Sequence, residues 1–254
     1  TPDVLNAWEA AYWQLANILI GKESQIMEQA GGWTDWRDFR IAKKVKESDE
    51  ITSFYLEPVD GKSLPSFKPG QYISVKTTVP KLNYMQPRQY SLSDKPSPNY
   101  YRISVKREAG LPANESEAVI HPGYVSNVLH DLKNEEDILS VSHPAGEFFL
   151  DPEVDTQSPV VLLSAGVGLT PMISILNTVL EAGSTRPISF IHGARSTSVQ
   201  AFGEHVRDTA KQHINVTTAF FIGTPQEEQD VEGVHYDHVG RVKLEVLDRS
   251  KDLF

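Results

Sequence analysis

Residues 158–247 alternate between short apolar runs and amphipathic stretches, and this alternation constrains the fold more than any other feature. PVVLLSAG, PISFIHGA and INVTTAFFIG predict three buried strands, and the segments between them predict helices. A strand–helix–strand–helix–strand order is typical of a doubly wound α/β unit with a parallel sheet. The apolar run PVVLLSAG predicts a strand that is buried on both faces.

Residues 39–150 have a different period. Six segments alternate with period two and are separated by turn signals such as Asp60-Gly61 and Lys68-Pro69-Gly70. The segments are FRIAKKV, ITSFYLEPV, QYISVKTTV, RQYSLS, YYRISVKRE and DILSVSHPAGEFFL. Together they predict a small antiparallel β-barrel with one short helix near residues 126–132. The boundary with the α/β unit is expected between residues 151 and 159.

The first segment predicts a single amphipathic helix. Thr1 is a candidate N-cap with Pro2 at the first helical position, and Gly31 and Gly32 are expected to end the helix. Apolar residues recur at spacings of three and four, yet no second helix follows to cover them. An exposed face of this kind favours self-association.

Composition narrows the possible partners. The formal net charge of −10 argues against nucleic acid, because an acidic surface repels phosphate backbones. No apolar run approaches the roughly 20 residues that span a bilayer, and no signal peptide is visible, so a cytoplasmic protein without membrane association is expected. The absence of cysteine excludes thiol catalysis and Cys-ligated clusters within this sequence, and the eight scattered histidines predict no metal site.

The strand RQYS carries the first candidate site. Arg88 and Tyr90 are expected to share one face of this strand, and Gln89 and Ser91 the other. A guanidinium binds phosphate with two parallel hydrogen bonds, a phenol ring offers a flat surface to a fused-ring ligand, and Ser91 could bond a ring nitrogen. The group suits FAD; the alternative is an exposed cation beside a packed tyrosine.

The segment HPGYVSNVLHD predicts an anion site. Gly123 permits close backbone approach, and Ser126 and Asn127 are expected to begin a helix whose free N–H groups face outward. The alternative is an ordinary capped helix.

The segment SAGVGLTP leaves a predicted strand and enters a predicted helix. Gly166 and Gly168 allow a tight turn, and Thr170 is a candidate N-cap. Pro171 stands where the Rossmann fingerprint has Gly or Ala, but the glycine turn still predicts a binding site for a pyrophosphate.

The next predicted strand ends in IHGARS. This end places His192, Arg195 and Ser196 where the adenosine ribose lies in a βαβ unit. Arg195 and Ser196 could accept a 2′-phosphate; the alternative is a solvated arginine, so NADH and NADPH both remain open.

The motifs RQYS, GYVSN and AGVGLTP, in this order, resemble the ferredoxin–NADP reductase superfamily. The junction AWEAAYWQLANILIGKE–GGWTDWRDFRIAKKV and the segment PGQY at 69–72 more closely resemble flavohaemoglobins, the nitric oxide dioxygenase family. This resemblance implies a remnant of the last globin helix at 1–32, an FAD-binding barrel domain at 33–152 and an NAD(P)-binding domain at 153–254. The last domain is expected to be C-terminally truncated, because the family's Cys-Gly-Pro segment is missing.

The resemblance also implies the site residues. The residues that it implies for FAD binding are Tyr72, Arg88, Gln89, Tyr90, Ser91, Gly123, Val125 and Ser126. Those that it implies for NAD(P) binding are Gly166, Val167, Gly168, Leu169, Thr170, Pro171 and Arg195. Tyr90, stacked on the flavin, and Ser91, near its N5 atom, would be the catalytic residues.

The implied activity is hydride transfer from NADH or NADPH to FAD, followed by single-electron transfer to an acceptor. In complete family members the acceptor is haem, which serves nitric oxide detoxification. Residues 1–32 contain no histidine, and Gln25 stands at the position of the family's proximal carboxylate. Haem is therefore not expected in this chain, and the acceptor is expected to be external. The alternatives are a stand-alone flavin or ferric reductase and a catalytically silent FAD-binding fragment.

Overall fold

The computed structural model describes residues 1–29, 32–110, 122–151, 153–154, 156–226, 228–249 and 252–253. Its α-helices are α1 (Pro2–Gln29), α2 (Tyr124–Asp131), α3 (Leu169–Glu181) and α4 (Gly203–Gln212). Its strands are β1 (Arg37–Lys46), β2 (Ile51–Pro58), β3 (Tyr72–Val79), β4 (Tyr84–Ser91), β5 (Tyr101–Lys106), β6 (Ile138–Val141), β7 (Val160–Ala165), β8 (Ile188–Ala194), β9 (Val216–Ile222) and β10 (His238–Val239).

Strands β1 to β6 form an antiparallel sheet in the order β4-β3-β6-β1-β2-β5. The two outer strands approach each other, since Leu92 bridges Ile103 and the Ser93 N–H donates to the Arg102 carbonyl at 2.8 Å. The sheet therefore curves into the predicted barrel. Its interior is filled by apolar side chains that include Phe39, Ile41, Phe54, Leu56, Ile73, Val75, Ile103, Leu139 and Val141.

Two predictions about the barrel need correction. The segment 137–150 is not one long strand, because β6 ends at Val141. Pro144 has no N–H to donate and Gly146 has a φ of +119°, so the chain continues as a loop that rejoins the sheet only where Ala145 pairs with Tyr72. Helix α2 also begins at Tyr124, two residues earlier than predicted.

Strands β7 to β10 form a parallel sheet in the order β10-β9-β8-β7. Apolar residues of α3 and α4 pack on one face of this sheet, against Leu162, Phe190 and Phe220. Val242 and Leu247 pack on the opposite face. The α/β unit is confirmed, and β10 is a strand that the sequence pattern did not reveal.

The prediction that β7 is buried on both faces is wrong. Val161 and Leu163 are each 48% exposed, although Leu162 between them is buried. Strand β7 lies at the edge of its sheet, and within the described part of the chain nothing covers the side that faces away from α3. Its continuous apolar run therefore does not report its burial.

Helix α1 spans the predicted segment. The N–H groups of Val4 and Leu5 donate to the Thr1 carbonyl at 3.1 and 3.2 Å, and the helix ends at Gln29. Gly31, which is predicted to end it, lies outside the described residues. The large apolar side chains of α1 are exposed, namely Val4, Leu5, Trp8, Tyr12, Trp13, Leu15, Ile18, Leu19, Ile20 and Ile26. Among the described residues, none of the helices has the length and apolar character needed to cross a membrane.

Candidate functional site

A cavity of about 630 Å³ opens where the barrel meets the parallel sheet. Four elements border it: the ends of β4 and β5, the start of α2 and the turn that leads into α3. Its lining residues are Arg88, Gln89, Tyr90, Ser91, Ser104, Lys106, Glu108, Pro122, Gly123, Tyr124, Val125, Ser126, Val167, Gly168, Thr170 and Pro171. The three motifs singled out in the sequence thus meet at one cavity of a size that is usual for ligand sites.

Strand β4 presents the predicted pair. In the β3–β4 register Arg88 lies opposite Val75 and Tyr90 opposite Ile73, so both side chains share a face. The Arg88 guanidinium is exposed, and its Nη1 donates to Gln86 Oε1 at 2.9 Å. Burial raises the pKa of Tyr90 to about 12, although Arg88 opposes that shift. The phenol therefore remains protonated, and neutral, at physiological pH.

The start of α2 forms the second wall. Gly123 is the N-cap, and none of the side chains that the structure describes bonds to the helix N-terminus. The Ser126 hydroxyl instead donates to the Gly123 carbonyl at 3.2 Å. Backbone N–H groups of the first turn therefore keep the positive end of the helix dipole without a side-chain cap, which suits an anion.

Gly123 cannot readily be replaced. A Cβ atom at this position would lie 2.4 Å from Ser126 Oγ and 2.8 Å from Glu108 Cβ. Only glycine therefore allows the backbone to pass this close beneath the cavity.

The turn before α3 forms the third wall. Gly166 has a φ of +52°, and Gly168 is the N-cap of α3. The prediction that Thr170 is the N-cap is wrong, since the helix begins at Leu169 and the Thr170 hydroxyl donates to the Val167 carbonyl at 3.1 Å. Leu169 is buried in the core, so it can offer a ligand only its backbone.

Four predicted site residues do not border this cavity: Tyr72, Gly166, Leu169 and Arg195. The Tyr72 ring packs against Gly146, where a Cβ atom would lie 2.9 Å from two ring carbons. Arg195 follows β8 and pairs with Glu50 of the barrel. The roles of these residues in nucleotide binding stay predictions.

The prediction that His192 lies beside an adenosine ribose is wrong. It is 1% exposed, and its Nδ1 atom lies 2.9 Å from Ser164 Oγ. Burial lowers its pKa to about 4, so it is neutral at physiological pH. A side chain enclosed in this way packs within the sheet and cannot contact a ribose.

Sequence reasoning missed three cavity residues at the end of β5. Ser104 and Lys106 lie on the strand, and Glu108 follows it. The Lys106 Nζ atom is 3.5 Å from Glu108 Oε2 and 3.9 Å from Glu50 Oε2. The signal was the alternation in ISVKRE, which places Ser104 and Lys106 on one face of the strand.

No group of three or more His, Cys, Asp or Glu side chains that could hold a metal ion is found in the part of the chain that the structure describes. The cavity instead combines a cation, a flat phenol ring and two uncapped helix starts. That combination suits a ligand with a flat ring and phosphate groups.

The chain is similar in sequence to an oxidoreductase domain family and to curated flavohemoproteins. The family model of the oxidoreductase NAD-binding domain matches residues 162–253. The chain is 48% identical over 252 residues to the flavohemoprotein of Bordetella pertussis, covering 97% of this chain and 60% of that protein. It is 45% identical to the flavohemoprotein of Deinococcus radiodurans, covering 97% and 58%. The chain thus spans about three-fifths of the length of these curated relatives.

Two solved structures of flavohaem-type proteins are similar to this chain in fold. The flavohem-like FAD/NAD-binding domain of nitric oxide dioxygenase from Vibrio cholerae matches with a TM-score of 0.72 at 32% identity, covering 84% of this chain and 82% of that one. The flavohemoglobin of Malassezia yamatoensis, solved with FAD and heme, matches with a TM-score of 0.73 at 26% identity, covering 98% and 59%.

Proposed function

This chain belongs to the family of flavohaem-like FAD/NAD-binding domains, and we propose that it is an oxidoreductase that uses NADH or NADPH to reduce FAD. The observation that carries the proposal is the single cavity bordered by RQYS, by the start of α2 and by the turn before α3. When bound there, FAD supplies a hydride acceptor that can release electrons one at a time.

The barrel side of the cavity would hold FAD. Arg88 would bind its pyrophosphate, and the N–H groups of Val125 and Ser126 would add donors to the same anion. The neutral phenol of Tyr90 would pack on the flavin ring, with Ser91 beside it. Gln89 and Gly123 border the same surface, and Gly123 leaves the cradle open because it has no side chain.

The α/β side would hold the nicotinamide dinucleotide. Val167, Gly168, Thr170 and Pro171 border the cavity at the start of α3, where the helix dipole favours a phosphate. We assign FAD binding to a domain at 33–152 and nucleotide binding to a domain at 153–254, preceded by the helical segment 1–32.

The electron acceptor is proposed from the family. The relatives that match are flavohemoproteins, and the Malassezia protein carries heme as well as FAD. We propose that electrons leave this chain for an acceptor outside it. The absence of haem from this chain and its cytoplasmic location stay predictions from the sequence.

The proposed function is tested by steady-state NADH and NADPH oxidation with added FAD and an artificial electron acceptor. The proposal requires acceptor reduction that depends on FAD and saturates with the nucleotide. A protein that binds FAD tightly but reduces no acceptor would instead be a silent FAD-binding module, and the enzymatic proposal would fail.

Glu50 is expected to disfavour NADPH. It pairs with Arg195, the residue that follows β8 where a 2′-phosphate would lie in a βαβ unit, so an incoming phosphate would meet the Glu50 carboxylate. Replacing Glu50 by Gln removes that repulsion. We expect the ratio of kcat/KM for NADPH to that for NADH to rise roughly five- to tenfold, the effect of about 1 kcal/mol of repulsion between solvated charges.

The matched control is Asp49→Asn. Asp49 is the neighbouring residue, and its carboxylate pairs with Lys46 instead. This variant removes the same charge from the adjacent position and should leave the ratio unchanged. If the ratio of kcat/KM for NADPH to that for NADH were the same in Glu50→Gln and the parent, Glu50 would have no role in the choice between the two nucleotides.

We also propose that α1 mediates self-association. Its apolar side chains are exposed, and burial of such a surface is the usual driving force for dimer formation. The double variant Leu15→Glu/Leu19→Glu, like deletion of residues 1–31, should shift the mass measured by light scattering towards the monomer. The control Asn6→Glu/Asn17→Glu adds the same charge at exposed polar positions and should not. A strictly monomeric parent chain would contradict the proposal.

A further inference from the structure

A polar cluster joins the barrel to the α/β unit outside the cavity. At its centre lies Asp94, in the loop after β4, whose side chain is 13% exposed. Its Oδ1 accepts hydrogen bonds from the Lys95 N–H at 2.9 Å and from Asn177 Nδ2 at 2.8 Å. Its Oδ2 accepts one from the Tyr100 hydroxyl at 3.0 Å and lies 3.5 Å from Arg102 Nη1. The carboxylate is therefore fully engaged.

Two side chains of α3 hold Asp94 from the other unit. The Ser174 hydroxyl donates to the Asp94 carbonyl at 2.7 Å, while Asn177 bonds its carboxylate. Asn177 Oδ1 also lies 2.9 Å from Nε2 of His205 on α4. Because Oδ1 can only accept and Nδ2 can only donate, both contacts fix the same orientation of the amide.

Arg102 completes the junction. Its side chain is 9% exposed, and its guanidinium carbon lies 5.1 Å from the ring centroid of Phe202, the residue before α4. Its Nη1 donates to the Tyr55 hydroxyl at 3.2 Å. Partly buried charge pairs of this kind contribute little to stability, because the cost of desolvation offsets much of the attraction. They nevertheless fix the geometry of the residues that they join.

The cluster is close in sequence to two walls of the cavity. Asp94 follows Ser91 by three residues, and Ser174 and Asn177 follow Thr170 by four and seven residues. At 1.5 Å per residue, these α3 side chains lie about 6 and 10 Å along the helix from the cavity. A shift of α3 relative to Asp94 would therefore move the nucleotide turn relative to the RQYS strand.

We propose that Asn177 is a positioning residue: through Asp94 it fixes the start of α3 at one distance from the RQYS strand. The effect of Asn177 on the rate of hydride transfer rests on the proposed function. Hydride transfer requires reacting atoms held roughly 3–3.5 Å apart, and displacements of about 1 Å lower rates strongly. Asn177 does not border the cavity, so its effect is on alignment.

The kinetic test uses the FAD-loaded chain mixed anaerobically with NADH in a stopped-flow instrument. In Asn177→Ala the limiting rate of flavin reduction should fall about tenfold or more, while the half-saturating NADH concentration changes by less than about twofold. The matched control is Glu181→Ala, which breaks the exposed Lys95–Glu181 pair between the same two elements. It should leave the rate unchanged. An unaltered limiting rate in Asn177→Ala would overturn the proposal.

A second readout needs no activity. Because the chain has no cysteine, Ser63→Cys and Gln212→Cys place one spin label on each unit at exposed positions. The distance distribution should be narrow in the parent and in Glu181→Ala, and broad in Asn177→Ala. Ser174→Ala, which removes only a hydroxyl group, should broaden it as well and serves if Asn177→Ala folds poorly.

The two readouts separate the two proposals. A parent chain that reduces no flavin but shows the predicted distance distributions would refute the proposed function and leave the junction intact. Distributions that are equally narrow in all variants, or broad in the parent, would refute the positioning role.

Discussion

Replacing Arg88 by alanine is expected to weaken FAD binding about tenfold or more. The Arg88 guanidinium is exposed at the edge of the cavity, on the face of β4 that it shares with Tyr90. A charge-assisted hydrogen bond to phosphate contributes roughly 1.5–3 kcal/mol, which corresponds to a tenfold to hundredfold change in the dissociation constant. Titration of the apoprotein with FAD, followed by quenching of flavin fluorescence, measures the change.

Two further variants make this result specific. Arg88→Lys keeps the charge but loses the two-pronged geometry, so its affinity should be intermediate. Arg40→Ala removes an arginine from β1 that pairs with Glu57 and Glu136 and does not border the cavity. Its affinity should equal that of the parent. Equal FAD affinity in Arg88→Ala and Arg40→Ala would refute the assignment of Arg88.

Replacing Gly70 by alanine is expected to destabilise the barrel by roughly 3 kcal/mol or more, because two costs add. Gly70 has a φ of +111°, which side-chain-bearing residues rarely adopt. A Cβ atom there would also lie 2.7 Å from the Phe148 carbonyl oxygen and 2.9 Å from Phe149 Cα. Both are backbone atoms, so they cannot rotate away. The urea midpoint, followed by tryptophan fluorescence, should fall by about 1 M or more.

Gly61→Ala is the matched control for Gly70→Ala. Gly61 also has a positive φ, of +66°, but an added Cβ atom would have no atom of the described residues within 4 Å. This variant bears only the conformational cost of about 1–2 kcal/mol. If the two variants lowered the urea midpoint equally, the close backbone atoms of Phe148 and Phe149 would add nothing to the cost of Gly70→Ala.

The sequence predicted those parts of the site that local pattern controls. RQYS, the glycine before α2 and the turn at 166–168 each combine a strand or helix end with a residue type whose chemistry is evident. At these three places the strand end and the helix starts are set by neighbouring residues, and they lie within two residues of their predicted positions. The cavity that joins the three motifs was not predicted, because it depends on how the two units pack against each other.

Contacts between distant residues could not be predicted in this way. Glu50 and Arg195 are 145 positions apart, and Asp94 and Asn177 are 83 apart. Neither pair has a local signature, because each depends on how the two units meet. The exposure of Val161 and Leu163 is a similar case, since an apolar run reveals hydrophobicity but not what covers it.

Reduction of FAD by a nicotinamide nucleotide is measured by the anaerobic addition of NADH, and separately of NADPH, to the FAD-loaded chain. We expect at least one of them to bleach the visible absorbance of the flavin, at a rate that saturates with nucleotide concentration. We also expect the flavin of Arg88→Ala, once this variant is loaded with excess FAD, to be bleached. A flavin that dithionite bleaches but that excess NADH and NADPH both leave oxidised would show that this chain does not reduce FAD with a nicotinamide nucleotide.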